Sequence, residues 1–233
     1  MNDLKLNLPR LKGKIIAIDG PAGSGKSTTA RKLAARLGFT YLDTGAMYRA
    51  LTYFALQTNI SPSDCAKLTA LAEKVPIEFE TGEEVNKVFI NGQDVTEEIR
   101  SPEVTRHVSE VSAHKGVRKA MVALQQKLAE NGSIVAEGRD TTTVVFPRAD
   151  LKVYLSASVK ERASRRLIDL TKMGVSTTLE EQMADIQRRD DYDSSRKHSP
   201  LTKARDAFTV DTTDMTVEGQ VDYIISLIRQ VLK

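Results

Sequence analysis

The sequence predicts an α/β fold of three layers, α/β/α, in which helices cover both faces of a five-stranded parallel sheet and a small antiparallel β piece is inserted. Three observations lead there. Short β-branched apolar runs alternate with amphipathic helical stretches along most of the 233 residues. The first of these runs opens directly into a glycine-rich loop and then a helix. Between about 75 and 100 the alternation breaks, and strand-like runs appear around the tight-hairpin dipeptide Asn91-Gly92.

Taken in order, residues 14–19 form a run suited to a strand buried on both faces. Residues 26–37 place Ala30, Leu33, Ala34 and Leu37 on one helical face, and Gly38 supplies the stop. A second strand is expected at 39–43, then helices at 46–57 and 64–74. Strand-like runs at 76–80 and 87–90 flank the hairpin signal, and one long helix is expected over roughly 104–130. Strands follow at 133–137, 151–155 and 207–210. The last helix carries an apolar stripe of Val217, Val221, Ile224, Ile225, Ile228 and Leu232. The domain reading is one unit over 14–233, with an insert at 75–105, a lid region at about 158–196, and an N-terminal extension at 1–13.

Composition narrows the function classes. The chain is 40% hydrophobic and 28% charged with a net charge of +3, and it contains no run of five basic residues, which argues against nucleic acid as a partner. The single cysteine, Cys65, excludes an intrachain disulfide, and His107, His114 and His198 lack zinc-site spacing. No segment of about 18 apolar residues is present, and the first residues do not read as a secretory signal. A reduced, cytoplasmic enzyme without a membrane partner is the expectation.

The loop Gly20-Pro21-Ala22-Gly23-Ser24-Gly25-Lys26-Ser27 satisfies G-x-x-x-x-G-K-[ST] in full, with a strand before it and a helix after it. Glycines let successive N–H groups converge on phosphate oxygens, and the helix adds its positive end. Lys26 can reach the β- and γ-phosphates, Ser27 can ligate Mg²⁺, and Thr28 adds a donor. A nucleotide-binding P-loop follows, which motors, switches and kinases share. The guanine-reading Asn-Lys-x-Asp of a GTPase is absent from the sequence. Glu137 ends an apolar strand and reads either as a holder of a metal-bound water or as a strand-end charge.

A small-molecule kinase needs arginines on loops and helix ends more than it needs general bases. Arg162, Arg165 and Arg166 share one helical face, and the segment 188–196 holds Arg188, Arg189 and Arg196. Such segments could close over ATP and exclude water, or could be solvated helix faces. Three functional readings are open on these residues. They are a kinase of a small acceptor, a nucleotide switch without turnover, and a nucleic-acid-bound ATPase.

Four motifs narrow this further: IIAIDGPAGSGKST at 15–28, LDTGAMYRA at 42–50, EGRDTTTVVFP at 137–147 and RRDDYDSSR at 188–196. With them the chain closely resembles the bacterial cytidylate kinases, from about residue 14 to the C-terminus. The resemblance implies transfer of phosphate from ATP to CMP or dCMP, Mg²⁺ as cofactor, and a monomer. It implies ATP on Gly20 to Thr28, and Lys26 with Arg162, Arg165 and Arg166 as the charge-neutralising groups. It implies a CMP site of Thr44, Tyr48, Arg49, Ser109, Arg118, Arg139, Asp140, Arg189, Asp193 and Arg196. In that site Ser109, Arg118 and Asp140 would read the base. Arg49, Arg139 and Arg196 would hold the acceptor phosphate, and Arg189 and Asp193 the pentose. The insert would be the acceptor-binding subdomain. UMP, AMP or shikimate is the runner-up acceptor. One departure stands out: where the family usually has glycine two residues after this aspartate, the chain has Thr142. If positive φ were required there, a β-branched residue would deform the loop.

Overall fold

In the computed structural model, which describes residues 11–80, 86–172 and 174–232, five parallel strands form the central sheet. They are β1 (Ile15–Asp19), β2 (Thr40–Asp43), β6 (Ile134–Gly138), β7 (Leu151–Ser156) and β8 (Phe208–Asp211), in the order β2-β6-β1-β7-β8. A separate antiparallel sheet joins β3 (Ile77–Glu80), β4 (Lys87–Ile90) and β5 (Gln93–Asp94). Asn91 and Gly92, at φ 51° and 75°, make the tight turn between the last two, as their dipeptide predicts. The extension expected at residues 1–13 falls mostly outside the described residues.

The helices are α1 (Lys26–Leu37), α2 (Thr44–Gln57), α3 (Cys65–Ala72), α4 (Pro102–Ala113), α5 (Lys115–Leu128), α6 (Val159–Lys172), α7 (Leu179–Ser195) and α8 (Val217–Val231). Pleat alternation builds two cores. On β6, Ile134 and Ala136 face α2 and α5, where Met47, Leu51 and Met121 are fully buried. Val135 faces the opposite way, into the layer of α1 and α8 with Leu33, Ile224 and Ile228. Ile16 and Ile18 of β1 and Leu155 of β7 are in that second core. These residues are why a near-continuous apolar run reads as a strand covered on both sides.

One expected element is corrected. The long helix over 104–130 is two helices, broken at His114, whose ψ of 126° is extended. The cause is tertiary. The His114 ring sits 2.7 Å from the Pro62 carbonyl oxygen and 3.2 Å from the Cys65 sulfur. Next to it Gly116 lets α5 cross α3 closely, since a Cβ there would lie 2.2 Å from Thr69 Oγ1. The break turns Arg118, on the first turns of α5, into the interior, where it is 4% exposed.

Strand register sets up the site. Asp19, Gly138 and Tyr154 lie level at the carboxyl ends of β1, β6 and β7, and Asp43 pairs with Glu137 across β2 and β6. Loops leaving those ends face one crevice, where open parallel sheets bind ligands.

Candidate active site

The phosphate-binding loop leaves β1 and enters α1. Gly20 has φ 154°, and a Cβ there would stand 2.0 Å from the Leu155 carbonyl oxygen, so only glycine lets the loop pass β7. We expect Gly20→Ala to lower Tm by roughly 6–10 °C, about 3 kcal/mol of steric cost in a chain of this size, readable in a thermal melt. Gly25, at φ 89°, caps α1 without any side-chain bond, and no acidic residue occupies the first helical turn. The α1 N–H groups are therefore left for an anion.

Lys26 is 5% exposed, and its ammonium donates to the Pro21 carbonyl at 2.8 Å. Burial above all, then the Arg139 charge, brings its pKa down to about 7, against the pull of Glu137 and Asp19. Ser27 Oγ donates to the Glu137 carboxylate at 2.7 Å. Asp43 caps α2 by accepting from the Ala46 N–H at 2.8 Å. Burial and the neighbouring Glu137 charge raise its pKa to about 6.

Thr44 donates to the Glu137 carbonyl at 2.7 Å. Arg118 and Asp140 form a salt bridge with both side chains 5% exposed, and the Arg118 guanidinium lies 5.2 Å from the Tyr48 ring centroid. Arg139 donates to Asp193 at 2.9 Å, and Arg196 stands 3.8 Å from the same carboxylate. Burial works to raise the Asp193 pKa, but Arg139, Arg196 and Arg189 hold it below the ordinary carboxylate value. Arg189 is buried among Arg139 and Arg49, and its pKa falls to about 9. Arg49 donates to Thr105 Oγ1 at 3.2 Å.

Around these side chains lies a cleft of about 1290 Å³. Its lining includes Ala22, Gly23, Gly25, Lys26, Ser27 and Thr28 from the loop. It also includes Thr44, Tyr48, Arg49, Ser109, Arg118, Arg139, Asp140, Arg189, Asp193 and Arg196, gathered from five separate stretches of chain. Arg165 and Arg166 line it as well. Arg165 donates to the Thr212 carbonyl at 2.6 Å, and its guanidinium lies 3.4 Å from the Gly23 carbonyl. Arg166 makes no hydrogen bond or ion pair among the described residues. Arg162 stands behind the loop, donating to the Ala22 carbonyl at 3.0 Å and pairing with Asp190 at 2.7 Å. Gly20, Pro21 and Ser24 shape the loop from beneath, and Ser24 is fully buried.

Sequence reasoning passed over Asp43, Asn86 and Arg100, which also line the cleft. Asp43 is the second residue of the motif LDTGAMYRA and caps the helix that follows, and that is the available signal. Asn86 Nδ2 donates to the Tyr41 carbonyl at 2.8 Å, a contact over 45 residues that no local pattern announces. Thr142 is not among the positive-φ residues, so its backbone asks for no glycine. Instead the threonine is 1% exposed, and its hydroxyl donates to Asp19 at 2.5 Å.

A P-loop at the head of a parallel sheet, facing a cleft with eleven arginines on its walls, defines the class: a nucleotide-dependent phosphotransferase. The family model described as "Cytidylate kinase" matches residues 16–230. A cytidylate kinase of Bacillus cytotoxicus is 47% identical over 94% of this chain and 97% of its own length. One of Enterococcus faecalis is 51% identical over 94% and 97%. The chain belongs to the cytidylate kinase family, and it is an ATP-dependent kinase. A crystal structure of an uncharacterised protein from Eubacterium ventriosum superimposes with TM-score 0.50 at 15% identity, covering 94% of this chain and 99% of that one, a likeness of fold alone. Among the described residues no helix is long and apolar enough to cross a membrane.

Proposed function

We propose that the chain transfers the γ-phosphoryl group of ATP to CMP or dCMP, giving ADP and CDP or dCDP. The observation that carries this is the buried Arg118–Asp140 pair lining the same cleft as Lys26 and the open N-terminus of α1. Cytosine offers an amino donor, a ring-nitrogen acceptor and a carbonyl acceptor. A carboxylate and a guanidinium side by side complement that edge. Uracil would present a carbonyl to Asp140 instead and be refused.

ATP is held by the loop from Gly20 to Thr28. Arg49, Arg139 and Arg196 hold the acceptor phosphate, Arg189 and Asp193 the pentose, and Ser109 joins Arg118 and Asp140 at the base. An acceptor phosphate oxygen forms the new bond to the γ-phosphorus in line. The bridging bond breaks and its electrons pass to the ADP oxygen. Lys26 and the arginines Arg165 and Arg166 neutralise charge on the transferring group, so no general base is needed. Arg162 keeps the loop carbonyl at Ala22 and the helix bearing Asp190 in fixed relation. Mg²⁺, the divalent ion of choice, would be held by Ser27 Oγ together with nucleotide phosphates. Glu137, bonded to that hydroxyl, is an oxygen donor suited to its water shell. When bound, the ion screens the β- and γ-phosphate charge.

The insert at 75–105 serves as the acceptor-binding subdomain, and the region at about 158–196 closes over ATP, in a cytoplasmic monomer that needs no nucleic acid. A coupled ADP-release assay with ATP, Mg²⁺ and each of CMP, dCMP, UMP, AMP and GMP tests the reading. CMP and dCMP are expected to exceed UMP by about 10²-fold or more in kcat/KM. UMP equal to CMP would refute the base readout. No stimulation by any monophosphate would refute the kinase itself.

A further inference from the structure

Asp19 is the last residue of β1 and directly precedes the phosphate-binding loop, yet it does not line the cleft. Its carboxylate is fully buried and has no ion-pair partner among the described residues. Four donors meet it instead, two on each oxygen. Oδ1 accepts from the Thr141 N–H at 2.8 Å and from the Thr141 hydroxyl. Oδ2 accepts from the Thr142 N–H at 2.7 Å and from the Thr142 hydroxyl at 2.5 Å. Both threonines are buried, at 0% and 1% exposure. They begin a single wide helical turn, Thr141–Val145, closed by the Val144 and Val145 N–H groups on the Asp140 carbonyl.

The chain order gives this bracket its consequence. Asp140 immediately precedes the two threonines, and its side chain pairs with Arg118. Gly20 immediately follows Asp19. One buried carboxylate thus fastens the loop that reads the acceptor to the root of the loop that grips the donor phosphates. A charge-assisted bond to a buried hydroxyl restricts orientation more tightly than a backbone N–H alone, because it pins the side chain as well.

We propose that Thr142, through its hydroxyl on Asp19, is a positioning residue that fixes Asp140 for base discrimination and holds acceptor and donor loops in one frame. This rests on the CMP-kinase reading above. Thr142→Val keeps the shape and removes the hydroxyl donor. It is expected to raise KM for CMP and to lower the CMP-to-UMP ratio of kcat/KM, each about five- to tenfold, while KM for ATP stays within twofold. Thr142→Ser restores the donor and is expected to return both values to within about twofold of the starting chain. A residue that served stability alone would lower Tm in Thr142→Val without moving the ratio, and that result overturns the proposal. Should Thr142→Val fail to fold, Thr142→Ala keeps the N–H bond, removes the hydroxyl with less bulk, and is read by the same ratio, with the same direction expected. If the unaltered chain leaves CMP unphosphorylated, the substrate reading falls and this inference with it. If it phosphorylates CMP but the variant's ratio is unchanged, only this inference falls.

Discussion

Lys26→Met is expected to reduce kcat/KM by about 10²–10³-fold, the range for losing one preorganised charge donor at a developing anion, while leaving the fold intact. The Tm of the variant should not drop. Lys26 is 5% exposed, and among the described residues its only hydrogen bond is to the Pro21 carbonyl, so a thioether of similar length fills the same space without burying an amine. The amine's pKa of about 7 follows from that burial and from Arg139, against 10.5 for an ordinary lysine. The sign is then fixed. Between pH 7 and about 10.5 the unfolded chain holds a proton that the folded chain has released, so this group makes stability rise with pH, and Lys26→Met should flatten that slope. For ligand binding the direction reverses. ATP phosphates favour the charged amine, so at pH 8 binding should take up most of one proton, seen as buffer-dependent heats in titration calorimetry. Lys26→Met should lose that uptake. A buffer-independent heat with the unaltered chain would show that the lysine is already charged in the free protein.

Much of the fold is legible in the amino-acid sequence. The strand–loop–helix unit at 15–37 is local: β-branched residues, glycines and a 3.6-residue apolar stripe all lie in one continuous stretch. The same holds for the Asn91-Gly92 hairpin and the stripe on α8. The break at His114 was not readable, because apolar spacing runs on through Val104, Val108, Val111, Val117 and Met121 and hides it. What breaks the helix is the approach of α3, decided by contacts to Pro62 and Cys65 some fifty residues away. The raised Asp43 pKa likewise comes from tertiary structure, from burial first and then from the Glu137 charge that the pairing of β2 with β6 sets beside it. The turn at Thr141–Val145 resembles a strand by composition, since threonine and valine are β formers. Asp19 overrides that preference by drawing two successive N–H groups to one carboxylate. The site residues were gathered by motif, whereas the partner of each guanidinium belongs to tertiary structure. Arg162 illustrates this, since it faces a loop carbonyl and Asp190 instead of the open cleft.

Asp140→Ala carries the other large expectation. Asp140 and Arg118 are 5% exposed each at the side chain, and among the described residues the Arg118 Nε already lacks a hydrogen-bond partner. Removing the carboxylate strands a buried guanidinium, which costs about 3–5 kcal/mol in comparable buried pairs. A fall in stability alone would therefore say nothing about base reading. Two comparisons separate the effects. First, with CMP limiting, kcat/KM should fall by about 10²–10³-fold, against less than about tenfold with ATP limiting, because a site built on a hydrogen bond discriminates most against what has lost it. Equal modest losses on both substrates would remove Asp140 from the base site. Second, Asp140→Asn keeps the size and one carbonyl acceptor but adds an N–H donor. A uracil carbonyl can accept from that donor, so the ratio of UMP to CMP turnover should rise even as total activity drops. Asn also stays hydrogen-bonded to Arg118, so its Tm should lie well above that of the alanine variant. Stability and selectivity then move by different amounts in the two variants. Only a carboxylate that both neutralises Arg118 and faces the base accounts for the two together.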